Sequence, residues 1–189
     1  MKKIIAVILF MGCLFAGAQD PINPKPGDKF IYNVDAGGQQ YDFIFTIKSL
    51  SPNIVFEWNM TNEGKSHGKL TIPAAALVNS NKMYNYFSNG NVTLKNQTSV
   101  FLSKGIFKTL TTKKTVDLYD GDKKLNFTNN GKDGFGYKVG GDDKYLNAIY
   151  MSTDDNNRMT VTDNPKFPII LSMDLGWSIR LAEYVPVKK

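Results

Sequence analysis

The chain has 189 residues, with one histidine, one cysteine and a formal net charge of +6. This length suits a single domain with a sizeable hydrophobic core. The basic excess comes from lysines scattered through turn regions, and the two arginines are Arg158 and Arg180. Nucleic-acid-binding proteins concentrate their basic residues and favour arginine, so the composition argues against a nucleic-acid partner. One histidine and one cysteine also argue against a zinc site.

Residues 1–18 have the features of a secretory signal peptide. Lys2 and Lys3 precede an apolar run over 4–15, and small residues stand at the −3 and −1 positions of the bond after Ala18. We therefore expect this segment to be removed on export and the mature chain to be periplasmic or secreted.

A lipid anchor at Cys13 is the alternative, because processing before this residue would leave an acylated cysteine. Phe10 at the −3 position and the apolar Leu14 after the cysteine fit that route less well than cleavage after Ala18. The mature domain, residues 19–189, then has no cysteine, and its fold depends on packing alone. The apolar run is shorter than the roughly 20 residues of a membrane span, so we expect no span.

Alternation of apolar and polar residues begins at Lys29 and predicts antiparallel β-strands. Phe30, Tyr32 and Val34 occupy one face of the first strand. Further strands are predicted over residues 41–47, 54–61, 70–72, 83–87, 92–95, 115–119, 124–128, 134–139, 145–151, 159–162, 167–173 and 177–184. About a dozen strands are too many for one small open sheet. We expect an all-β domain built on a strongly curved antiparallel sheet, as a half-barrel, a barrel or a two-layer sandwich.

Glycine-containing turns predict three hairpins. Gly37-Gly38 separates the first two strands, and Asp120-Gly121-Asp122 joins two later ones. Asn89-Gly90 predicts that 83–87 pairs with 92–95, because both turn residues tolerate a positive φ.

Two segments depart from the strand pattern and predict short helices. Ser103 is a candidate N-cap for a helix over 103–110, whose apolar residues are spaced to pack over the sheet. The run 74–77 predicts a second helical turn. No Ser-, Gly- or Pro-rich linker interrupts residues 25–185. The sequence therefore predicts one domain, 19–189, with one or two short helices.

The order of several short segments carries a resemblance to known proteins. These segments are Pro26–Phe30, Leu102–Lys104 before the predicted helix, and Asp163–Pro165 before a closing hairpin. In this layout the chain resembles small exported β-rich proteins of unknown function from Gram-negative bacteria. The strands Pro168–Leu171 and Trp177–Leu181 are also similar to the closing strands of curved-sheet periplasmic lipoprotein carriers. That likeness implies a half-barrel with an apolar concave face and brings no catalytic residues.

Few residues could support catalysis. His67, the one histidine, lies in a polar, glycine-containing stretch, which favours an exposed turn residue over a general base. No nucleophile-elbow pattern supports a serine triad. Glu57, beside Trp58 on a predicted strand, is the best carboxylate for glycosidase-like chemistry, although its position favours an outward-facing residue. We expect no enzyme activity, and a carboxylate-based hydrolase is the minor alternative.

Acidic turns raise the question of calcium, which takes oxygen ligands. The two candidates are Asp154–Asn157 and Asp142-Asp143. Neither has the spacing of an EF-hand loop, and Asp, Asn and Gly are ordinary turn residues. We therefore expect no metal and no cofactor.

Aromatic residues are concentrated in the first three predicted strands. If these strands curve around a cavity, their inner rings are candidates for holding an apolar small molecule or a lipid. A filled interior is the alternative, since small barrels pack their centres with side chains. Tyr84, Tyr86 and Tyr137 are alternative exposed platforms for a sugar or a peptide. The candidate ligand-binding residues are Phe30, Tyr32, Tyr41, Phe43, Phe45, Phe56 and Trp58.

Two functions therefore remain open. The first is an exported, non-catalytic binding or carrier protein with an apolar concave face. The second is a structural or interaction module that binds another envelope protein through a sheet edge or an exposed aromatic patch.

Overall fold

A computed structural model describes residues 21–62 and 64–188. The predicted signal peptide, its cleavage site and the alternative anchor at Cys13 lie outside the described residues. Within them, no helix combines the length and the apolar character that crossing a bilayer requires.

The described chain folds into twelve strands and two short helices, which confirms the all-β prediction. The elements are β1 (Lys29–Ala36), β2 (Gln39–Ser49), β3 (Ile54–Met60), β4 (His67–Ile72), α1 (Ala74–Asn79), β5 (Lys82–Met83), β6 (Gly90–Thr93), α2 (Lys104–Lys113), β7 (Thr115–Asp120), β8 (Lys123–Val139), β9 (Asp142–Ser152), β10 (Arg158–Thr162), β11 (Ile170–Asp174) and β12 (Ser178–Val185).

All twelve strands belong to one sheet, in the order β5-β7-β8-β9-β10-β11-β12-β1-β2-β3-β4-β6. An additional pairing of β8 with β12 closes five strands, β8 to β12, into a ring that is not a clean barrel. Most neighbours are antiparallel, but β8–β12, β4–β6 and β5–β7 are parallel. The sheet is therefore mixed, whereas the sequence predicted an antiparallel one.

Two hydrophobic cores lie on this sheet. The first core contains the alternating inward residues of β1 and β3, such as Phe30, Tyr32 and Phe56. The second core lies beneath α2 and joins Phe107 and Leu110 to residues of β7 to β11. Period-two alternation had assigned the buried faces of β1 and β3 correctly.

The predicted hairpin between 83–87 and 92–95 is wrong. β5 pairs with β7 and β6 pairs with β4, so the intervening chain connects opposite ends of the sheet. The ring of Phe87 lies 4.6 Å from that of Phe43 and 5.2 Å from that of Trp58. Burial of this ring against the first core holds the segment along a path that a local hairpin would not follow.

The two strands predicted at 124–128 and 134–139 are one continuous strand, β8. A bulge between Asn129 and Gly131 shifts its register against β9. An extra residue reverses the side-chain alternation beyond it. Phe127 accordingly packs in the second core, and Phe135 packs in the first.

Both predicted helices are present. The Ser103 side chain accepts a hydrogen bond from the Ile106 backbone N–H at 3.3 Å, which caps α2 as predicted. Gly105 lies where α2 approaches α1. A Cβ atom there would be 2.8 Å from Asn79 Oδ1 and 3.1 Å from the Val78 carbonyl oxygen. Glycine therefore permits the close contact between the helices.

Candidate functional site

An apolar groove of about 480 Å³ lies beside this helix contact. Its walls come from α1, the first residue of α2, the β2–β3 turn and residues 166–168. The lining residues are Leu50, Ser51, Pro52, Ile54, Ala74, Leu77, Val78, Phe101, Leu102, Lys104, Lys166, Phe167 and Pro168.

The groove combines a buried floor with an accessible wall. Ile54, Phe101 and Leu102 are at most 3% exposed. Ile54 and Phe101 belong to the first core, and Leu102 belongs to the second. Val78 of α1, by contrast, is 50% exposed. A ligand would therefore contact mainly the accessible walls, above a base whose side chains are fixed by core packing.

The backbone before the floor residues is held in an uncommon conformation. Val100 has a φ of +49°, a left-handed value that is strained for a β-branched residue. The Phe101 N–H donates to the Ser99 carbonyl at 2.5 Å, and the Val100 carbonyl accepts from the Ile170 N–H at 2.9 Å. Such strain persists where surrounding contacts enforce it, and it is frequent at ligand sites.

Two lysines give the groove its charge. Lys104 and Lys166 are exposed, and neither forms a salt bridge with a described carboxylate. The Lys166 ammonium lies 5.4 Å from the centre of the Phe167 ring. The lining contains no acidic residue. The groove is therefore apolar within and positive at two lining positions.

The seven aromatic residues that the sequence offered for ligand binding lie elsewhere. Six of them are at most 3% exposed and pack against one another, with ring centres 4.7 Å apart for Phe30–Phe45 and 4.9 Å for Phe45–Phe56. Tyr41 is half-buried and lines a polar pocket on β1 and β2. Contact of these seven with a ligand stays a prediction. The six buried ones are Phe30, Tyr32, Phe43, Phe45, Phe56 and Trp58.

The three tyrosines considered as exposed platforms differ in burial. Tyr86 is 71% exposed, whereas Tyr137 is 7% exposed and belongs to the first core. The platform prediction is therefore wrong for Tyr137. Tyr84 is half-buried, and its ring meets that of Phe87 edge-on at 5.8 Å.

The catalytic candidates meet at a separate polar pocket on β3 and β4. Glu57 and His67 both line it. The Glu57 carboxylate points outward and forms a 2.7 Å salt bridge with Lys48. His67 is exposed as expected, but it begins β4, and its Nδ1 lies 3.2 Å from the Lys65 carbonyl oxygen. The sequence had not placed these two residues together.

The acidic turn between β9 and β10 is organised by its own hydrogen bonds. Asn157 Nδ2 donates to Thr153 Oγ1 at 2.9 Å, and Asn156 has a φ of +62°. Across residues 21–62 and 64–188, no three His, Cys, Asp or Glu side chains form a group able to hold a metal ion.

No protein-family model matches the chain, and comparisons with the curated proteins and with the solved structures found no match. The resemblance to periplasmic carriers stays a prediction.

Proposed function

We propose that this chain is an exported, non-catalytic binding protein that holds a single-chain amphipathic anion, of the fatty-acid type, in the apolar groove. The observation that carries the proposal is the lining: ten of its thirteen residues are apolar, and the remaining three are Ser51, Lys104 and Lys166. Export is the expectation drawn from the first eighteen residues.

The size of the groove supports a small ligand. A space of about 480 Å³ lies within the range of small-molecule sites, roughly 300–1,000 Å³. Each methylene that leaves water contributes about 0.8 kcal/mol. The floor residues are at most 3% exposed, so they fix the base of the groove and offer little area to a ligand. An acyl chain would contact mainly the half-buried Leu50, Leu77 and Phe167, together with the exposed Val78.

The charge at the groove favours an anionic head group. Lys104 and Lys166 supply ammonium donors, and no lining carboxylate competes for them. Because both ammonium groups are exposed, they contribute modestly to affinity and mainly orient the ligand. The acyl chain would then lie along α1, with its carboxylate toward the lysines.

Binding of cis-parinaric acid by residues 19–189 tests this function, since its fluorescence rises in an apolar site. Palmitate should displace the probe, and hexadecanol should displace it less well. A Lys104→Met/Lys166→Met variant should reduce this preference for palmitate.

The location is tested by Val78→Asp, which places a charge on the exposed wall. Ala75→Asp is the matched control, because Ala75 is exposed on the same helix and does not line the groove. Val78→Asp should weaken probe binding about tenfold, equivalent to about 1.4 kcal/mol, while Ala75→Asp leaves it unchanged. No saturable probe binding, or equal effects of the two variants, would overturn the proposal.

A further inference from the structure

Another pocket, of about 590 Å³, is lined by residues from all five strands of the ring, β8 to β12. Ten of its fourteen lining residues are polar or charged, and the other four are Met151, Met159, Met173 and Ile179. Both arginines of the chain, Arg158 on β10 and Arg180 on β12, line it, although the other basic residues are lysines. Arginine has a planar fork of donors that matches an oxyanion, whereas lysine presents a point charge.

Arg180 is held in place by β8. Its guanidinium carbon lies 4.2 Å from the centre of the Phe135 ring, and its Nη2 donates to the Gly136 carbonyl at 3.1 Å. A guanidinium has five N–H donors, so this bond leaves others for a ligand. Stacking and one backbone hydrogen bond thus orient the side chain while it remains exposed.

Arg158 lies two strands away, across β11. In the sheet register Asp174 is opposite Arg158, and Ser172 is opposite Arg180. Neighbouring strands are about 4.8 Å apart, so about 10 Å separates β10 from β12. The two arginines are also offset by two residues along the strands, about 7 Å, which puts their Cα atoms about 12 Å apart. Arg158 forms no salt bridge with a described carboxylate. Two arginine side chains can span this separation toward one ligand.

Side chains with hydroxyl groups share the lining of the pocket with the two arginines. Thr160, Ser172 and Ser178 line the pocket, and the Tyr150 hydroxyl donates to the Gly134 carbonyl at 3.0 Å. Burial and the negative charge of Asp133 raise the pKa of Tyr150, and the positive charge of Arg180 opposes that rise. One acidic residue of the lining, Asp174, opposes anion binding.

We propose that this pocket binds an oxyanion, a phosphate or carboxylate group carried by a polar, hydroxylated small molecule. Arg158 and Arg180 bind the anionic group, and the hydroxyls of β10 to β12 contact the rest of the ligand. Asp174 limits the affinity and disfavours anions of high charge. This site is independent of the apolar groove and uses none of its residues.

Titration calorimetry on residues 19–189 tests the site with inorganic phosphate, glucose 6-phosphate, glucuronate and glucose. At least one anion should bind saturably below about 10 mM, and glucose should not. Binding of glucuronate alone identifies a carboxylate, and binding of the phosphates alone identifies a phosphate. The affinity should fall with rising salt, because the attraction is between exposed charges.

Three variants locate the binding. Arg158→Gln and Arg180→Lys should each weaken it about tenfold, since the first removes the charge and the second removes the fork and the stacking. Asp174→Asn should tighten it, an effect that damage to the fold would not produce. Lys108→Gln, on the exposed side of α2, is the control for net charge. Absence of anion binding, an equal loss in Lys108→Gln, or an unchanged affinity in Asp174→Asn would overturn the proposal.

Discussion

The hydroxyl of Tyr184 donates a 2.5 Å hydrogen bond to the buried carboxylate of Asp28. The same carboxylate accepts the backbone N–H of Lys25 at 2.7 Å and that of Val187 at 2.8 Å. Asp28 lies just before β1, and Tyr184 lies near the end of β12. One side chain therefore joins the chain segment before the first strand to the end of the last strand.

Asp28→Asn tests this junction. Asparagine keeps one acceptor oxygen, but its amide nitrogen is a donor, so it cannot accept from all three donors that the two oxygens of Asp28 serve. We expect a loss of about 2–3 kcal/mol in the free energy of unfolding, measured by urea denaturation at pH 7. Asp35→Asn, at an exposed position on β1, should change it little. Equal stability of the two variants would show that the Asp28 contacts do not stabilise the junction between the segment before β1 and the end of β12.

The alkaline limit of stability should depend on Tyr184. Burial raises the pKa of Tyr184 above its ordinary value, and the hydrogen bond to Asp28 raises it further. The unfolded chain then loses the phenol proton near pH 10, while the folded chain keeps it. The stabilisation is therefore complete below pH 10 or so and is lost as the pH rises toward the folded-state pKa.

Urea denaturation between pH 8 and pH 10.5 checks this linkage. Wild type should lose stability over that range more steeply than Tyr184→Phe, so the difference between them should shrink as the pH rises. Tyr86→Phe, at a residue that is 71% exposed, should parallel wild type. Parallel curves for wild type and Tyr184→Phe would contradict the assignment.

Features that depend on neighbouring residues in the sequence were predictable. Alternation identified the buried faces of β1 and β3, and Ser103 marked the start of α2. The parallel pairings of β5 and β6 were not predictable, because each strand pairs with a segment that is not its neighbour in the sequence. Phe87, which lies between them, packs on residues of β2 and β3. The change of face within β8 depends on one bulge residue that no periodicity reveals.

Both candidate sites combine distant parts of the chain. The groove joins residues near 52, 78, 102 and 167, and the pocket that contains both arginines joins the five strands of the ring. Six of the seven aromatic residues that the sequence offered as ligand-binding candidates belong instead to the first core. The sequence contained one signal for the pocket of the two arginines: a chain rich in lysine has only Arg158 and Arg180 as arginines. That both arginines line one pocket could be known only from the order of the strands in the sheet.

Gly68→Ala should disrupt the pairing of β4 with β6. A Cβ atom at Gly68 would overlap the Gly90 carbonyl oxygen and would lie 3.1 Å from the Trp58 ring. The two strands would have to separate, and we expect a loss of about 2 kcal/mol in the free energy of unfolding. Gly134→Ala is the matched control, because its Cβ would meet only the Tyr145 ring, at 4.0 Å. A tolerated Gly68→Ala would refute the parallel β4–β6 contact.

Gly105→Ala separates helix propensity from helix packing. In the interior of an isolated helix this change stabilises by about 1 kcal/mol, which is an upper bound for Gly105 in the first turn of α2. Here the new methyl group would meet Asn79 Oδ1 at 2.8 Å and the Val78 carbonyl oxygen at 3.1 Å, so α1 must move away from α2. We expect a net loss of about 1 kcal/mol in the free energy of unfolding, together with weaker binding of parinaric acid.

The closer of the two contacts at Gly105 is with the Asn79 side chain, so a double-mutant cycle with Asn79→Ala can isolate the contribution of that contact. Asn79→Ala/Gly105→Ala should recover part of the stability lost in Gly105→Ala. The remaining loss reports the contact with the Val78 backbone, which forms the wall of the groove. Stabilisation of the single Gly105→Ala variant by the full helix-propensity gain would mean that α1 and α2 are free to separate and that glycine is not required between them.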